Sequence, residues 1–319
     1  MTESLNQNII AFIWDFDKTL IPNYMQSPLF KEYQVEEQKF WKEVSMLESV
    51  YKKEGIQVNQ DTIYLNHILH YVRNGQFKGL SNSKLRELGK KLDFFPGIPQ
   101  FFDYTREYVK TSKILSDFDL RIEHYIVSTG MSEMIRGSIV FPKVDGVWGC
   151  EFIDRNLIIE NDILKLDSDS EPEIFSMAYW VDNTSKTKAI FEINKGANKY
   201  PDQINVNQIM PMETRRIPFE NMIYIADGPS DIPAFSVIKK EGGKTMAVYQ
   251  KDVPKSFKQV KSLLETGRVD MIGEADYSEG STTWLWLIDE LNSIAEKIIN
   301  RRKLLMSKGK QFLPGHING

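Results

Sequence analysis

Cysteine is almost absent from this chain: Cys150 is the only one in 319 residues. A single thiol can make neither an intrachain disulfide nor a cysteine-based zinc centre, and its lack of a partner fits a reducing compartment. Long apolar runs are missing as well. The stretch from Ile9 to Trp14 is apolar but far too short to cross a bilayer. Met1 to Asn8 is polar, with no basic segment leading into an apolar run, so no secretory signal is read there. Nor is there an excess of basic charge. Forty Lys and Arg stand against 44 Asp and Glu, a formal charge of -4, which leaves no footprint for a nucleic-acid duplex. The expectation is a cytoplasmic protein without a nucleic-acid or membrane partner. The sequence is silent on oligomeric state.

What is present is ordinary globular composition, 41% apolar and 26% charged, and a length that suits about two domains of roughly 150 residues. Ile9 to Trp14 reads as a strand buried on both faces, as in a parallel sheet. His124–Val127, Met222–Ala226 and Thr245–Tyr249 look similar, and helical patterns separate them, over Pro99–Ser116 and Thr184–Lys195. Such alternation predicts an α/β fold, a Rossmann-like core with a mainly parallel sheet flanked by helices.

Between the first strand and Pro96 the pattern is helical. Phe40, Val44, Leu47 and Tyr51 recur at helical spacing, Asp61 opens a second helix, and Ser81 to Leu92 forms a third with Ser81 or Ser83 as N-cap. We therefore expect a small helical insertion at residues 22–95 and a core domain from 1–21 and 96–319. Asp167 to Pro172 reads as an acidic loop, and Lys195 to Pro218, rich in proline, as a long irregular segment that is functional or conceals a small hairpin. Trp284 to Met306 reads as an amphipathic helix followed by a short basic tail.

The chemistry centres on Asp15-Phe16-Asp17, directly after the apolar strand. Taken alone, two aspartates at a strand end are also a common turn pattern. Strand alternation sends both to one side at the carboxyl end of a parallel strand, where open α/β sheets bind ligands. Two converging carboxylates repel, and a divalent cation relieves the repulsion. With Lys18, Thr19 and Leu20 the segment resembles the first motif of the haloacid dehalogenase superfamily. His124 to Gly130, a strand ending in Ser128-Thr129-Gly130, resembles the second motif, and Tyr224 to Asp231, carrying Asp227 and Asp231, the fourth. The third motif is a lysine near a helix start, for which Lys186 and Lys188 both qualify. In the phosphoserine-phosphatase-like branch this lysine precedes apolar positions by four and seven residues. Lys186 has Ile190 and Ile193 there, whereas Lys188 has Glu192 and Lys195. Lys186 is favoured, with Lys188 as the alternative.

The resemblance implies an Mg²⁺-dependent phosphomonoesterase acting on a small phosphorylated metabolite through an aspartyl-phosphate. Asp15 would be the nucleophile and Asp17 the general acid and base. Asp15, the backbone carbonyl of Asp17, Asp227 and Asp231 (directly or through water) would hold Mg²⁺. Ser128, Thr129, Gly130 and Lys186 would hold the phosphoryl group, with a helix beginning at Thr129 and Gly130. An aspartate at position 17 argues against dehalogenase and phosphonatase chemistry. The same intermediate passed to an acceptor hydroxyl would make a phosphotransferase, and loss of turnover would leave a phosphate-binding module. The resemblance implies that the helical insertion at residues 22–95 is a small helical cap domain, and for the substrate it points to that cap. There Tyr64, His67 and Tyr71 share one helix face, with Arg73 nearby. His67 and His70 are a weak metal signal, since magnesium does not select imidazole. Gly146 to Phe152 reads as a short two-stranded element, and Cys150 as a buried structural cysteine.

Overall fold

Six consecutive apolar residues make strand β1, Ile9–Trp14, and each is buried in the computed structural model, which describes residues 7–160 and 162–311. Four helices follow: α1 (Ser27–Glu32), α2 (Glu37–Lys53), α3 (Ile63–Arg73) and α4 (Asn82–Gly89). Then come α5 (Gln100–Thr111), α6 (Lys113–Ser116), β2 (Arg121–Met131), α7 (Ser132–Gly137) and β3 (Gly146–Ile153). The chain continues through β4 (Leu157–Glu160), β5 (Ile163–Leu166), β6 (Ser176–Tyr179) and α8 (Ser185–Lys195). It closes with β7 (Met222–Ala226), α9 (Ile232–Lys240), β8 (Lys244–Tyr249), α10 (Pro254–Glu265), β9 (Met271–Glu274) and α11 (Thr282–Gln311).

Seven strands form one sheet in the order β6-β3-β2-β1-β7-β8-β9, parallel except where β6 pairs antiparallel with β3. The α/β class read from strand–helix alternation is therefore what the structure has. Alternation along β1 divides its side chains between two layers. Ile10, Phe12 and Trp14 face one core with α5, α7 and α11, and Ile9, Ala11 and Ile13 face the other with α8, α9 and α10. A strand covered on both faces can be apolar at every position, as β1 is.

Helices α1–α4 bury Leu29, Phe30, Phe40, Leu65 and Leu85 in the same cluster as Phe12 and Trp14. Helix α4 lies directly on α7, and a Cβ at Gly89 or Gly137 would strike the backbone of Met134 or Arg86. Ser81 caps α4, its Oγ accepting from Lys84 N–H at 3.2 Å.

Several local readings need correction. The α3 helix starts at Ile63 rather than Asp61. Gly146–Ile153 is not a separate two-stranded element but a strand of the main sheet, beside β2. The isolated hairpin is instead β4–β5, whose residues are all exposed. Residues 195–218 contain no strand among the described residues, only a 3-10 turn at Met212–Thr214. The far end of this segment is pinned inward: Asn194 Nδ2 donates to the Ile217 carbonyl at 2.7 Å, and Arg216 Nη1 donates to Glu123 Oε2 at 2.7 Å. The helix read as ending at Met306 continues to Gln311, so the first part of the expected basic tail is helical, and residues 312–319 lie outside the described residues. Among those residues no helix is long and apolar enough to cross a membrane.

Candidate active site

Parallel pairing sets three strand ends side by side. Trp14, the last residue of β1, is in register with Ile126 of β2 and Ile225 of β7. The chain beyond each strand end therefore emerges at one edge of the sheet, the usual ligand crevice of such folds. Asp15, Asp17, Ser128, Thr129 and Asp227 all line one cleft there, of about 320 Å³.

Strand β2 runs further than its apolar core suggests, because its pairing with β3 resumes at Met131 after a register shift between Val127 and Met131. Ser128, Thr129 and Gly130 occupy that irregularity, a common device for re-aiming residues at a site. Helix α7 consequently starts at Ser132, not at Thr129. Gly130 N–H donates to Ser128 Oγ at 3.0 Å, and Met131 N–H points to Met25 Sδ at 3.0 Å. Gly130 has no Cβ to spare, since one would overlap the Met25 side chain. Met25 also donates its N–H to Asp17 Oδ1 at 3.0 Å, so the loop after β1 is fitted against the Ser128 loop.

The two candidate lysines are placed differently. Lys186, in the first turn of α8, is fully buried, with Nζ 2.7 Å from Asp15 Oδ1 and 2.6 Å from Asp231 Oδ1. Lys188 is exposed and lies 3.5 Å from Glu192. Helical spacing explains the difference, because the face that buries Ile190 and Ile193 also carries Lys186. Asp231 is fully buried and held from three sides: Tyr224 Oη donates to its Oδ1 at 2.6 Å and Ser230 Oγ to its Oδ2 at 2.8 Å, beside Lys186. Thr19 Oγ1 donates to Asp15 Oδ2 at 3.2 Å.

Carboxylate oxygens of Asp15, Asp227 and Asp231 lie within 4.8 Å of one another. Such a set can hold a metal ion, and its hard oxygen donors suit magnesium or calcium better than zinc or copper. Crowding shows in the acidities. Burial pushes the Asp15 carboxyl up to about 6, with Asp231 adding to the shift and Lys186 opposing it. Burial, then Asp15 and Asp231, push Asp227 up to about 7. Asp17 is raised well above the usual carboxylate range by burial and by Asp15. Burial opposes the charge on Lys186, but Asp15 and Asp231 outweigh it and raise its pKa.

Of the four cap residues singled out in the sequence, one reaches the cleft. Tyr64 lines it and donates its hydroxyl to the Thr129 carbonyl at 3.0 Å. His67 and Tyr71 do not line it. His67 Nε2 is 2.8 Å from Glu43 Oε2, and Tyr71 donates to the same oxygen at 2.7 Å. Arg73 borders a different hollow, with Tyr51 and Trp180. Tyr64 and Tyr71 are two turns apart, about 10 Å along the axis, so one end of the stripe meets the cleft and the other does not. The cleft takes its remaining wall from residues that pattern reading passed over: Tyr24, Gln26, Trp41, Gln60 and Asp61. A tryptophan beside the buried Phe40 was a usable signal for Trp41; nothing in the sequence marked Gln26. Cys150 is buried as anticipated, its Sγ accepting from Val181 N–H at 3.2 Å and donating to the Thr129 carbonyl at 3.5 Å.

No family model matches the chain. Among solved structures it is similar to a probable phosphoserine phosphatase from Vibrio cholerae, at 13% identity over 94% of this chain and 69% of that one, with a TM-score of 0.48. It is also similar to a phospho-aspartyl intermediate analogue of phosphoserine phosphatase, at 16% identity over 83% and 93% of the two chains and a TM-score of 0.45. A third is a haloacid dehalogenase-like hydrolase from Streptococcus pneumoniae, at 17% identity over 85% and 94%, TM-score 0.38. At these scores the chemistry has to come from this chain's own residues. Sequence similarity reaches further in one case, with 42% identity over 290 residues, 89% of this chain and 97% of its relative. The chain belongs to the same family as that relative, an uncharacterized protein of Borreliella burgdorferi.

Proposed function

We propose that this chain is a haloacid-dehalogenase-type phosphomonoesterase that hydrolyses a small phosphorylated metabolite through an aspartyl-phosphate on Asp15. The observation that supports it most is the buried contact of Lys186 Nζ with Asp15 Oδ1, at a strand end shared with Ser128 and Asp227. A carboxyl with a raised pKa that lines a cleft and meets a buried cation has the signature of a functional group.

In this reading a carboxylate oxygen of Asp15 attacks phosphorus and the bond to the ester oxygen breaks. Asp17, whose raised pKa favours the protonated form, gives its proton to the departing alkoxide. The resulting Asp17 carboxylate then takes a proton from water, which attacks the same phosphorus, breaks the acyl-phosphate bond and restores Asp15. Met25 N–H holds Asp17 Oδ1, which fixes the acid against the cleft. Ser128 and Lys186 hold phosphoryl oxygens, and Thr129 contributes backbone; Gly130 acts one step removed, by orienting Ser128. Asp15, Asp227 and the Asp17 carbonyl would hold Mg²⁺, with Asp231 offering Oδ2, since Lys186 and Tyr224 occupy its Oδ1. Bound Mg²⁺ would offset the negative charge on nucleophile and phosphoryl group. Residues 22–95 act as the cap over a core of 1–21 and 96–319, consistent with Trp41 of α2 and Tyr64 of α3 forming part of the cleft wall. A lone buried thiol keeps the cytoplasmic assignment in view.

The test is a screen of purified protein with Mg²⁺ against phosphorylated metabolites, beside Asp15→Asn. Phosphate release that needs Asp15 supports the proposal. Wild-type turnover by Asp15→Asn would remove Asp15 as nucleophile.

A further inference from the structure

The cleft is lined by two kinds of residue. Beside the carboxylates and Ser128 stand Tyr24, Gln26, Trp41, Gln60, Asp61 and Tyr64. Among these the rings adjoin, Tyr24 and Trp41 with centroids 5.1 Å apart and Trp41 and Tyr64 5.7 Å apart. Three of their hydrogen-bond donors are committed. Trp41 Nε1 donates to Glu37 Oε1 at 3.3 Å, Tyr64 Oη to the Thr129 carbonyl at 3.0 Å, and Gln60 Nε2 to Glu48 Oε2 at 2.6 Å. Acceptor capacity is open. Gln26 is 1% exposed and its Oε1 has no hydrogen-bond partner. Asp61 holds only a 3.3 Å contact from Asn183 N–H to its Oδ2.

Among the described residues the cleft contains no arginine and no histidine. Lys186 is engaged by Asp15 and Asp231. Lys18 Nζ stands 3.8 Å from the centroid of the Tyr24 ring and is close enough to Asp17 and Asp227 to oppose the rise in their pKa. A leaving group with a carboxylate or second phosphate would face Asp61. A leaving group with an ammonium would find a carboxylate, an unpartnered amide oxygen and aromatic faces, which attract cations through the ring quadrupole. A volume of about 320 Å³ lies at the small end of ligand pockets and suits a small alcohol beyond the phosphoryl group.

Building on the phosphatase reading, we infer that the substrate is a short phosphorylated amino alcohol, bearing a cationic nitrogen and no carboxylate. The nitrogen lies against Trp41 and Tyr64 with Asp61 as counter-ion, and Gln26 accepts from a donor on the same group.

The test compares kcat/KM for 2-aminoethyl phosphate, its N,N,N-trimethyl form, the neutral isostere 3,3-dimethylbutyl phosphate, and O-phosphoserine. The cationic esters should lead the isostere and O-phosphoserine by about tenfold or more. In Asp61→Asn, and independently in Trp41→Leu, the ratio of trimethyl ester to isostere should fall to within about threefold of unity. Wild-type enzyme that hydrolyses the isostere or O-phosphoserine as well as the trimethyl ester overturns the inference. Such turnover, if it still requires Asp15, leaves the phosphatase reading standing. Absence of turnover on all four esters and on the wider metabolite screen removes both.

Discussion

Lys186 Nζ lies 2.7 Å from Asp15 Oδ1, although 171 residues separate the two in sequence. Lys186 also neutralises Asp231, which is fully buried. Replacing Lys186 by alanine therefore removes the proposed phosphoryl-binding cation and strands a buried carboxylate. Activity should fall by about 10²–10³, and stability by about 3–5 kcal/mol. Lys188→Ala touches a 3.5 Å pair with Glu192 and the face of Tyr179 and should change turnover by less than about twofold. Steady-state kinetics with thermal melts on both variants check this, and equal losses would contradict the geometry.

Asp17 separates leaving-group chemistry from nucleophilic attack. Asp17→Asn cannot protonate the departing oxygen or activate water, so kcat on an alkyl phosphate should fall by about 10²–10⁴. With p-nitrophenyl phosphate, whose leaving group needs no proton, formation of the phosphorylated enzyme should survive while its breakdown slows. Rapid quench should then show a burst of p-nitrophenol of about one equivalent per enzyme. Equal losses on both esters with no burst would argue against an acid role.

Stability of the metal-free protein should depend on pH through the same carboxylates. Asp15 and Asp227 titrate in the folded state near about 6 and about 7, above an ordinary value of 3.8. A carboxyl whose folded pKa is raised adds stability below the unfolded pKa and loses it as pH rises through the folded value. The loss therefore falls between an ordinary carboxyl pKa near 3.8 and about 7. Mg²⁺ binds the ionised form, so the Tm gain on adding Mg²⁺ should be larger at about pH 8 than at about pH 5. A gain independent of pH would mean that these acids are not its ligands.

The legible parts of this site were those whose signal is local. β1 announced itself because a strand buried on both faces must be apolar throughout, and two acids at its end stand out against that background. The face of α8 was legible for the same reason, since Ile190 and Ile193 mark the buried side that also holds Lys186. Relationships set by tertiary contact were not legible. Asp231 is committed to Lys186 and Tyr224 by the meeting of α8 with β7, and no spacing encodes that. The hairpin of β4 and β5 escaped because its apolar residues are exposed on both faces and so lack alternation. Tyr64, His67 and Tyr71 do share a stripe, but where the cleft cuts that stripe depends on how α3 docks.

Gly130 and Met25 provide a test of how the acid is positioned. A Cβ at residue 130 would overlap Met25 Sδ and Cε, and Met25 N–H holds Asp17 Oδ1. Gly130→Ala should thus cost about 1–3 kcal/mol through overpacking and lower kcat more than KM, because it displaces the Asp17 support. Met25→Ala opens a cavity with its own cost, but in the double variant it makes room for the new methyl. The combined loss should fall short of the sum of the single losses by about 0.5–3 kcal/mol. Strict additivity in a double-mutant cycle, read in both Tm and kcat, would show that the two loops are not coupled through this contact.

The segment of residues 195–218, long and without a strand, is fixed at its far end by a buried ion pair. Arg216 donates to Glu123 Oε2 at 2.7 Å and is 7% exposed, while Glu123 is 8% exposed. Burial raises the Glu123 carboxyl, but the guanidinium outweighs it and the net displacement is downward. A carboxyl held below its ordinary value contributes stability above the unfolded pKa and loses it as pH falls through the folded one. Arg216→Ala leaves Glu123 and the Tyr125 hydroxyl in a site built for a cation and should cost about 3–5 kcal/mol. Removing both partners with Arg216→Met and Glu123→Leu should cost much less, because no charge is then left buried. Denaturant melts of the two variants decide between a segment held by its charge pair and one held by packing alone. A double variant as unstable as Arg216→Ala would favour packing.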